Sequence, residues 1–127
     1  MSWNSAGDWS VFDGINVPTG TLFPNASGIA LGEYHHISLT GSLIDGVGET
    51  TVLTVEATND ENPTTANWVT IYGYDSRVHL WVNLQTITNG TLVFAWDFDY
   101  VNYKYARLRI VTTAATNTVI IKARGRT

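Results

Sequence analysis

An all-β, antiparallel β-sandwich is the architecture this chain implies, on three grounds. Strand-forming residues dominate: eighteen threonines, five Trp, six Tyr and four Phe stand among 127 residues, while Lys, Glu and Gln, which suit exposed helix faces, are scarce. From residue 34 onward, apolar side chains alternate with polar ones at a period of two, in short runs ended by Gly, Asn or Pro. No stretch carries the 3.6-residue period of an amphipathic helix. A chain of this length has room for one hydrophobic core and not for two.

Residues 1–30 show no clear period and are broken by Gly7, Gly14, Pro18, Gly20, Pro24 and Gly28, so they read as an irregular N-terminal arm. The arm carries Trp3, Trp9, Phe12 and Phe23, apolar area that gains roughly 25 cal/mol per Å² when covered. It is therefore expected to dock, either on the chain's own sandwich or on a neighbouring subunit. Residues 31–127 form the single sandwich domain.

Within that domain, residues 34–42 place Ile37 and Leu39 on one sheet face, and Gly46-Val47-Gly48 marks a turn. Residues 51–58 set Leu53, Val55 and Ala57 against Val52, Thr54 and Glu56, and end at the loop Asn59-Asp60-Glu61-Asn62-Pro63. Residues 68–74 read as a short aromatic strand. Residues 78–84 put Val78, Leu80, Val82 and Leu84 inward, with His79, Trp81 and Asn83 outward. Asn89-Gly90 is the strongest turn signal in the chain. After it, residues 91–98 line up Leu92, Phe94, Trp96 and Phe98 on one face of a central strand. Residues 99–104 make a corner, and residues 105–112 bury Ala106, Leu108 and Ile110. Residues 118–124 close the domain, forming a hairpin with the preceding strand across Ala114-Ala115-Thr116-Asn117. Seven strands at about ten-residue spacing indicate a jelly-roll or immunoglobulin-like sandwich.

Composition narrows the function classes. With no cysteine, neither a disulfide nor a thiolate metal site is available. No apolar run approaches the roughly 18–20 residues of a membrane-spanning helix. The opening Met1-Ser2-Trp3-Asn4-Ser5 lacks the basic and apolar regions of a secretory leader, so folding in a reducing cytosol is expected. All eleven acids lie at or before Asp99, and six of seven bases after it, for a net charge of −4. Either the basic C-terminal strands lie beside acidic ones in one sheet, or they present a basic edge to an acidic partner. An acidic overall balance makes nucleic acid a poor candidate for that partner.

No catalytic constellation emerges. Asp97 and Asp99, two apart on a strand, share a face, but glycoside hydrolysis needs carboxylates across a cleft, and the plainer expectation is an ion-pair ladder with Arg107 or Arg109. His35 and His36 point to opposite faces, His35 toward the core and His36 to the surface. His79 is distant, so a metal site is not expected. There is no Gly-x-Ser-x-Gly elbow, and Gly46-Val47-Gly48 lacks the rest of a phosphate loop. No enzyme activity and no cofactor are expected. The exposed aromatics Tyr72, Trp81, Tyr100 and Tyr103, with Trp68, could stack on a sugar ring read by Asn83 and Asp99, or form a subunit interface.

Three segments carry a resemblance: Tyr34-His35-His36-Ile37-Ser38-Leu39-Thr40-Gly41; Val52-Leu53-Thr54-Val55-Glu56-Ala57-Thr58-Asn59-Asp60 followed by Trp68; and Tyr103-Lys104-Tyr105-Ala106-Arg107-Leu108-Arg109-Ile110. Their order resembles small β-sandwich virion proteins of tailed bacteriophages, which serve as head decoration or tail components: a strand ending in a Leu-Thr-Gly turn, a strand ending in an Asn-Asp loop, a Trp strand and a Tyr-x-Arg strand. The resemblance implies a capsid decoration, or cement, protein. It would be a homotrimer seated on the outer face of the shell, binding the major capsid protein and copies of itself, assembled in the host cytoplasm, with no membrane or nucleic acid partner. In that reading the arm, through Trp3, Trp9, Phe12 and Phe23, grips a neighbour or the shell. The basic hairpin bearing Arg107, Arg109, Lys122, Arg124 and Arg126 meets acidic capsid surface. The alternative is a carbohydrate-binding or tail-fibre module that uses the aromatic platform.

Overall fold

The computed structural model describes residues 8–32, 34–99, 101–113 and 116–126, with the backbone alone over 8–15 and at Val47. Ten strands follow in chain order: β1 (Asp8–Ile15), β2 (Thr21–Phe23), β3 (Ile29–Ala30), β4 (His36–Thr58), β5 (Val69–Thr70), β6 (Gly73–Asp75), β7 (Leu80–Val82), β8 (Gln85–Asp99), β9 (Tyr105–Thr112) and β10 (Asn117–Arg126). All strand pairings are antiparallel. The long strands β4 and β8 run side by side from His36↔Asp99 to Leu53↔Gln85. The other edge of β4 is divided, its first half against β10 and its second against β9. One wing therefore runs β1-β10-β4-β8-β6-β7. The other joins β2 and β3 to β9, and β9 to the end of β4 beside β5.

The period of two becomes burial. Ile37, Leu39 and Leu43 in the first half of β4, Leu53, Val55 and Ala57 in the second, Phe94, Trp96 and Phe98 in β8, and Ala106, Leu108 and Ile110 in β9 all turn to one continuous core. Val119, Ile121 and Ala123 of β10 complete it. Because side chains from both wings share one cluster, the sheet is curled over on itself as a sandwich. Trp96 and Phe98 pack at 4.8 Å between ring centroids at its centre, with Gly73 of β6 so close that a Cβ there would lie 2.6 Å from the Trp96 indole nitrogen.

Several local expectations resolve differently. Gly46-Val47-Gly48 and Asn89-Gly90 are not hairpin turns; they are the bend in β4 and the bend in β8. The register steps from Asp45↔Gly90 to Thr50↔Thr88, so residues 46–49 of β4 bulge opposite Asn89. Gly48, Asn89 and Gly90 all have positive φ, at 78°, 58° and 124°, and the Gly48 N–H donates to the Asn89 side-chain oxygen. Left-handed residues thus bend two paired strands together without reversing either.

Strands β9 and β10 form no hairpin, because each takes its own half of β4. Asn117, at the start of β10, secures the segment that leaves β1: its side chain accepts from the Val17 N–H at 2.7 Å and donates to the Val17 carbonyl at 2.8 Å. Much of the segment read as an irregular arm is regular: β1 adds to β10, and β2 and β3 add to β9. The aromatic strand over 68–74 is two short strands, β5 and β6. In residues 78–84, Val78, Leu80 and Leu84 are exposed rather than inward, because β7 is an edge strand that pairs only with β6 among the described residues.

Candidate functional site

Antiparallel register brings distant residues into rows on the outer face of the first wing. One row runs Arg124, Ser38, Asp97, Tyr74, Trp81, and the next Arg126, His36, Asp99. His36 Nδ1 lies 2.9 Å from Asp99 Oδ1. The carboxylates of β8 therefore face Ser38 and His36, not the expected Arg107 and Arg109, which lie in the other wing. His35 is exposed rather than core-facing, because the strand starts one residue later, at His36.

Three features occupy this side of the molecule. At the β6–β7 end, the Tyr74 and Trp81 rings meet edge-on at 5.6 Å, with an interplanar angle of 66°, and so do not make a flat platform together. Beside them, Tyr72, Tyr103 and Asp99 line a cleft of about 250 Å³ floored by Ile71, Phe98 and Val101. Across the middle of the wing lies an apolar groove of about 660 Å³ built on Thr40, Ser42, Val93, Ala95 and Ile120, with Lys122 and Arg77 at its rim. Arg77 is tethered there by Asp75, a buried carboxylate that accepts from the Arg77 N–H at 2.9 Å and from the Gln85 amide at 3.0 Å.

The outer face of the second wing has a different chemistry. Glu56 accepts from Arg107 Nε at 2.8 Å and Arg109 Nε at 3.1 Å. Arg107 also donates to the Ala26 carbonyl and sits 4.1 Å from the Trp68 ring centroid. Here the basic C-terminal strand is offset by an acid within the chain. Lys104 pairs in the same way with Glu61. The five basic residues expected on one hairpin are thus divided. Arg107 and Arg109 of β9 pair with Glu56 of β4, and Lys122, Arg124 and Arg126 lie at alternate, exposed positions along β10.

Of the four arm aromatics, Phe23 is buried in the chain's own core against β9. Trp9 and Phe12 lie on β1, Phe12 opposite Ile121, and their side chains are outside the described residues, as are Trp3 and Tyr100 altogether. Tyr72 and Trp81 are exposed, and Tyr103 is half-buried. Sequence reasoning missed Tyr74 and Arg77, which come to this face only through β6–β7 pairing. It also missed Glu56 as a partner; the Arg107-x-Arg109 spacing, which puts two cations on one strand face, was the available signal.

These features define an all-β domain of the sandwich type. No protein-family model and no curated protein sequence matches the chain. Its shape is similar to that of YomS, a protein derived from the SPBc2 prophage, with a TM-score of 0.55 and 11% identity over 91% of this chain and 93% of that one. It is also similar to the CBM22-1 xylan-binding domain of Paenibacillus barcinonensis Xyn10C (TM-score 0.46, 9% identity, 95% of this chain and 85% of that one). The CBM22-1-GH10 modules of the Clostridium thermocellum xylanase 10B give a TM-score of 0.44 and 12% identity over 97% of this chain, which spans only 26% of that one. The likeness to YomS shows a shared fold, and one bearer of that fold is prophage-derived.

Proposed function

We propose that the chain is a virion structural protein of a tailed bacteriophage, a capsid decoration protein that seats on the outer face of the shell and stabilises it. The observation that carries this reading is the exposure of large apolar side chains together on the first wing and its open edge. Val93 is 68% and Tyr72 62% exposed, and Leu80 and Trp81 accompany them. Apolar surface of this kind marks a protein contact, and the strip Lys122, Arg124, Arg126 beside it supplies charge for an acidic partner. The shared fold with a prophage-derived protein supports the reading. The partners are the major capsid protein and copies of the chain itself, the location is the virion surface after assembly in the host cytoplasm, and the action is contact without catalysis or cofactor.

Co-sedimentation with undecorated capsids of the phage that encodes the chain tests this. Sub-micromolar binding and a raised shell melting temperature are expected. The pair Lys122→Glu and Arg126→Glu should weaken binding at least about tenfold, with a reduced salt dependence. Capsids that neither bind the chain nor gain heat resistance would sink the proposal.

A second reading, a carbohydrate-binding tail or fibre module, draws on the cleft in which Tyr72 and Tyr103 flank Asp99, since rings beside a carboxylate suit a sugar's apolar face and hydroxyls. It anticipates a saturable tryptophan fluorescence change with glycan that Tyr72→Ala removes. Silence across a glycan array would leave protein docking alone.

A further inference from the structure

Four inward rows of the sandwich end in polar side chains at the same end of the core. Asp45 follows Leu43 by two residues in the first half of β4, Thr51 precedes Leu53 in its second half, Thr112 follows Ile110 in β9, and Asn117 precedes Val119 in β10; all four polar residues are buried. Asp45 and Asn117 are partners in register, as are Thr51 and Thr112. The Thr51 hydroxyl donates to Asp45 Oδ1 at 2.7 Å and lies 2.9 Å from the Thr112 hydroxyl, so one carboxylate oxygen is served from the core side. The other is not. Asp45 is only 7% exposed, its Oδ2 has no hydrogen-bond partner, and no Lys, Arg or His among the described residues pairs with it. A buried carboxylate is stable when it is paired, protonated or bound to a metal. A proton on Oδ2 would only exchange an unsatisfied acceptor for an unsatisfied donor, because no group lies within reach to accept it.

We propose that a calcium ion, seated in the pocket beside Asp45, is the missing partner. The pocket, of about 320 Å³, is lined by Asn16, Asp45, Gly46, Thr116, Asn117 and Thr118. Thr51, which holds Oδ1, does not line it, and Oδ2 is the carboxylate oxygen left to the pocket side. A second carboxylate stands at the pocket wall: Glu49 accepts from the Gly46 N–H at 3.3 Å and from the Thr116 hydroxyl at 2.8 Å. A Cβ on Gly46 would come within 3.1 Å of Glu49 Oε2 and 3.2 Å of the Thr116 hydroxyl, so the bulge in β4 keeps that carboxylate close against the main chain. Two carboxylates balance a divalent ion. The other donors at hand are hydroxyl, carboxamide and main-chain oxygens, with none of the three histidines lining the pocket and no cysteine in the chain, a set that suits a hard cation rather than zinc or copper. Calcium accepts an irregular oxygen shell completed by water, whereas magnesium demands a near-ideal octahedron and gives up its water reluctantly. Held there, the ion ties together the exit of β1 at Asn16, the bend of β4 at Asp45 and Gly46, and the start of β10 at Thr116 and Asn117.

The site does not rest on the capsid role, and it is tested on the intact chain after treatment with a chelator. Calorimetric titration with calcium should show one site with a Kd on the order of 100 µM or tighter. About 5 mM calcium should raise Tm by about 5 °C or more over the chelator-treated chain, and the same concentration of magnesium by less than about 1 °C. Asp45→Asn keeps the side-chain shape and an oxygen for Thr51 but removes the charge. It should abolish the calcium response and melt in chelator at or above the temperature of the parent chain, because an uncompensated buried charge is gone. An aspartate with a structural role alone would instead make the variant less stable with and without calcium. Should Asp45→Asn fail to fold, Glu49→Gln, at the pocket wall, decides: it should weaken calcium binding at least about threefold. Glu61→Gln, an exposed acid paired with Lys104 elsewhere, should leave binding unchanged. Neither heat nor a melting shift with calcium would mean that water alone serves Oδ2. That result, equal responses to calcium and magnesium, a calcium response retained by Asp45→Asn, or unaltered affinity in Glu49→Gln would each overturn the site.

Discussion

Replacing Glu56 with Gln should cost the fold about 3–5 kcal/mol, the usual consequence of removing one member of a buried ion pair. Glu56 is 9% exposed and receives two guanidinium groups. The two are not equivalent. Arg107 is buried, with its side chain 9% accessible, whereas that of Arg109 is 36% accessible and in part solvated by water. Loss of the carboxylate charge therefore leaves Arg107 as an uncompensated cation inside the second wing, while Arg109 relaxes toward solvent at little cost.

The expected ranking follows. Arg109→Ala should change stability by no more than about 1 kcal/mol, as exposed pairs do, and Glu56→Gln by several times that. The paired change of Glu56→Leu with Arg107→Met should recover much of the loss, because matched apolar side chains need no counter-charge. In a thermal melt the single substitution amounts to a fall on the order of 10–20 °C. A loss below about 1 kcal/mol would show that Arg107 finds its charge balance elsewhere. The segment bearing Ala26 should also open, since Arg107 holds its carbonyl, and faster proteolysis near residues 24–28 is the local readout.

That network shows which parts of the molecule are legible in the sequence. Burial is written in the alternation: Leu53, Val55 and Ala57, Phe94, Trp96 and Phe98, and Ala106, Leu108 and Ile110 all turn to the core as their period requires. Partnership is not written there. Nothing local in residues 105–124 says that β9 and β10 will each choose β4 over one another, because strand pairing is a long-range property of the sheet. Bends and turns also share a vocabulary. Asn89-Gly90 supplies positive φ, which serves a hairpin or a kink equally, and the choice was made by the bulge opposite it in β4. Over residues 78–84 the alternation pointed four aliphatic side chains inward, yet only Val82 packs against the core, because the strand is three residues long and residues 76–79 form the turn before it. The cleft of Tyr72, Tyr103 and Asp99 draws on three separate segments and exists only once the register of β4, β6 and β8 is set.

Gly41→Ala is expected to be as damaging as the loss of the Glu56 charge, for a reason of geometry alone. The sequence reads Leu39-Thr40-Gly41 as the end of a strand, yet Gly41 lies in the middle of the β10-paired half of β4, opposite Ile121 on one side and Phe94 on the other. Its backbone has no positive φ, so no conformational freedom is being used there. On propensity alone, Gly→Ala at such a site would stabilise by about 0.4–1 kcal/mol through the unfolded state. The contact reverses the sign. A Cβ at this position would overlap the Ile120 carbonyl oxygen outright and approach the Ile120 carbonyl carbon to 3.0 Å and the Ile121 Cα to 3.1 Å, all backbone atoms of β10. No rotamer change relieves a clash with main chain, so β10 itself must move. It is held by β4 on one edge and β1 on the other, with Val119 and Ile121 fully buried beneath. Moving it opens the core or breaks ladder hydrogen bonds, and a loss of about 3 kcal/mol or more is expected, at the upper end of overpacking costs. Gly20→Ala is the control: it meets no atom within 4 Å and carries only the strain of a left-handed φ of 83°, about 1 kcal/mol. Hydrogen exchange should show the Gly41→Ala damage as lost protection along β10 and β1, with β9 spared. Stability equal to or above that of the parent chain would mean that the two strands stand further apart at Gly41 than this packing requires.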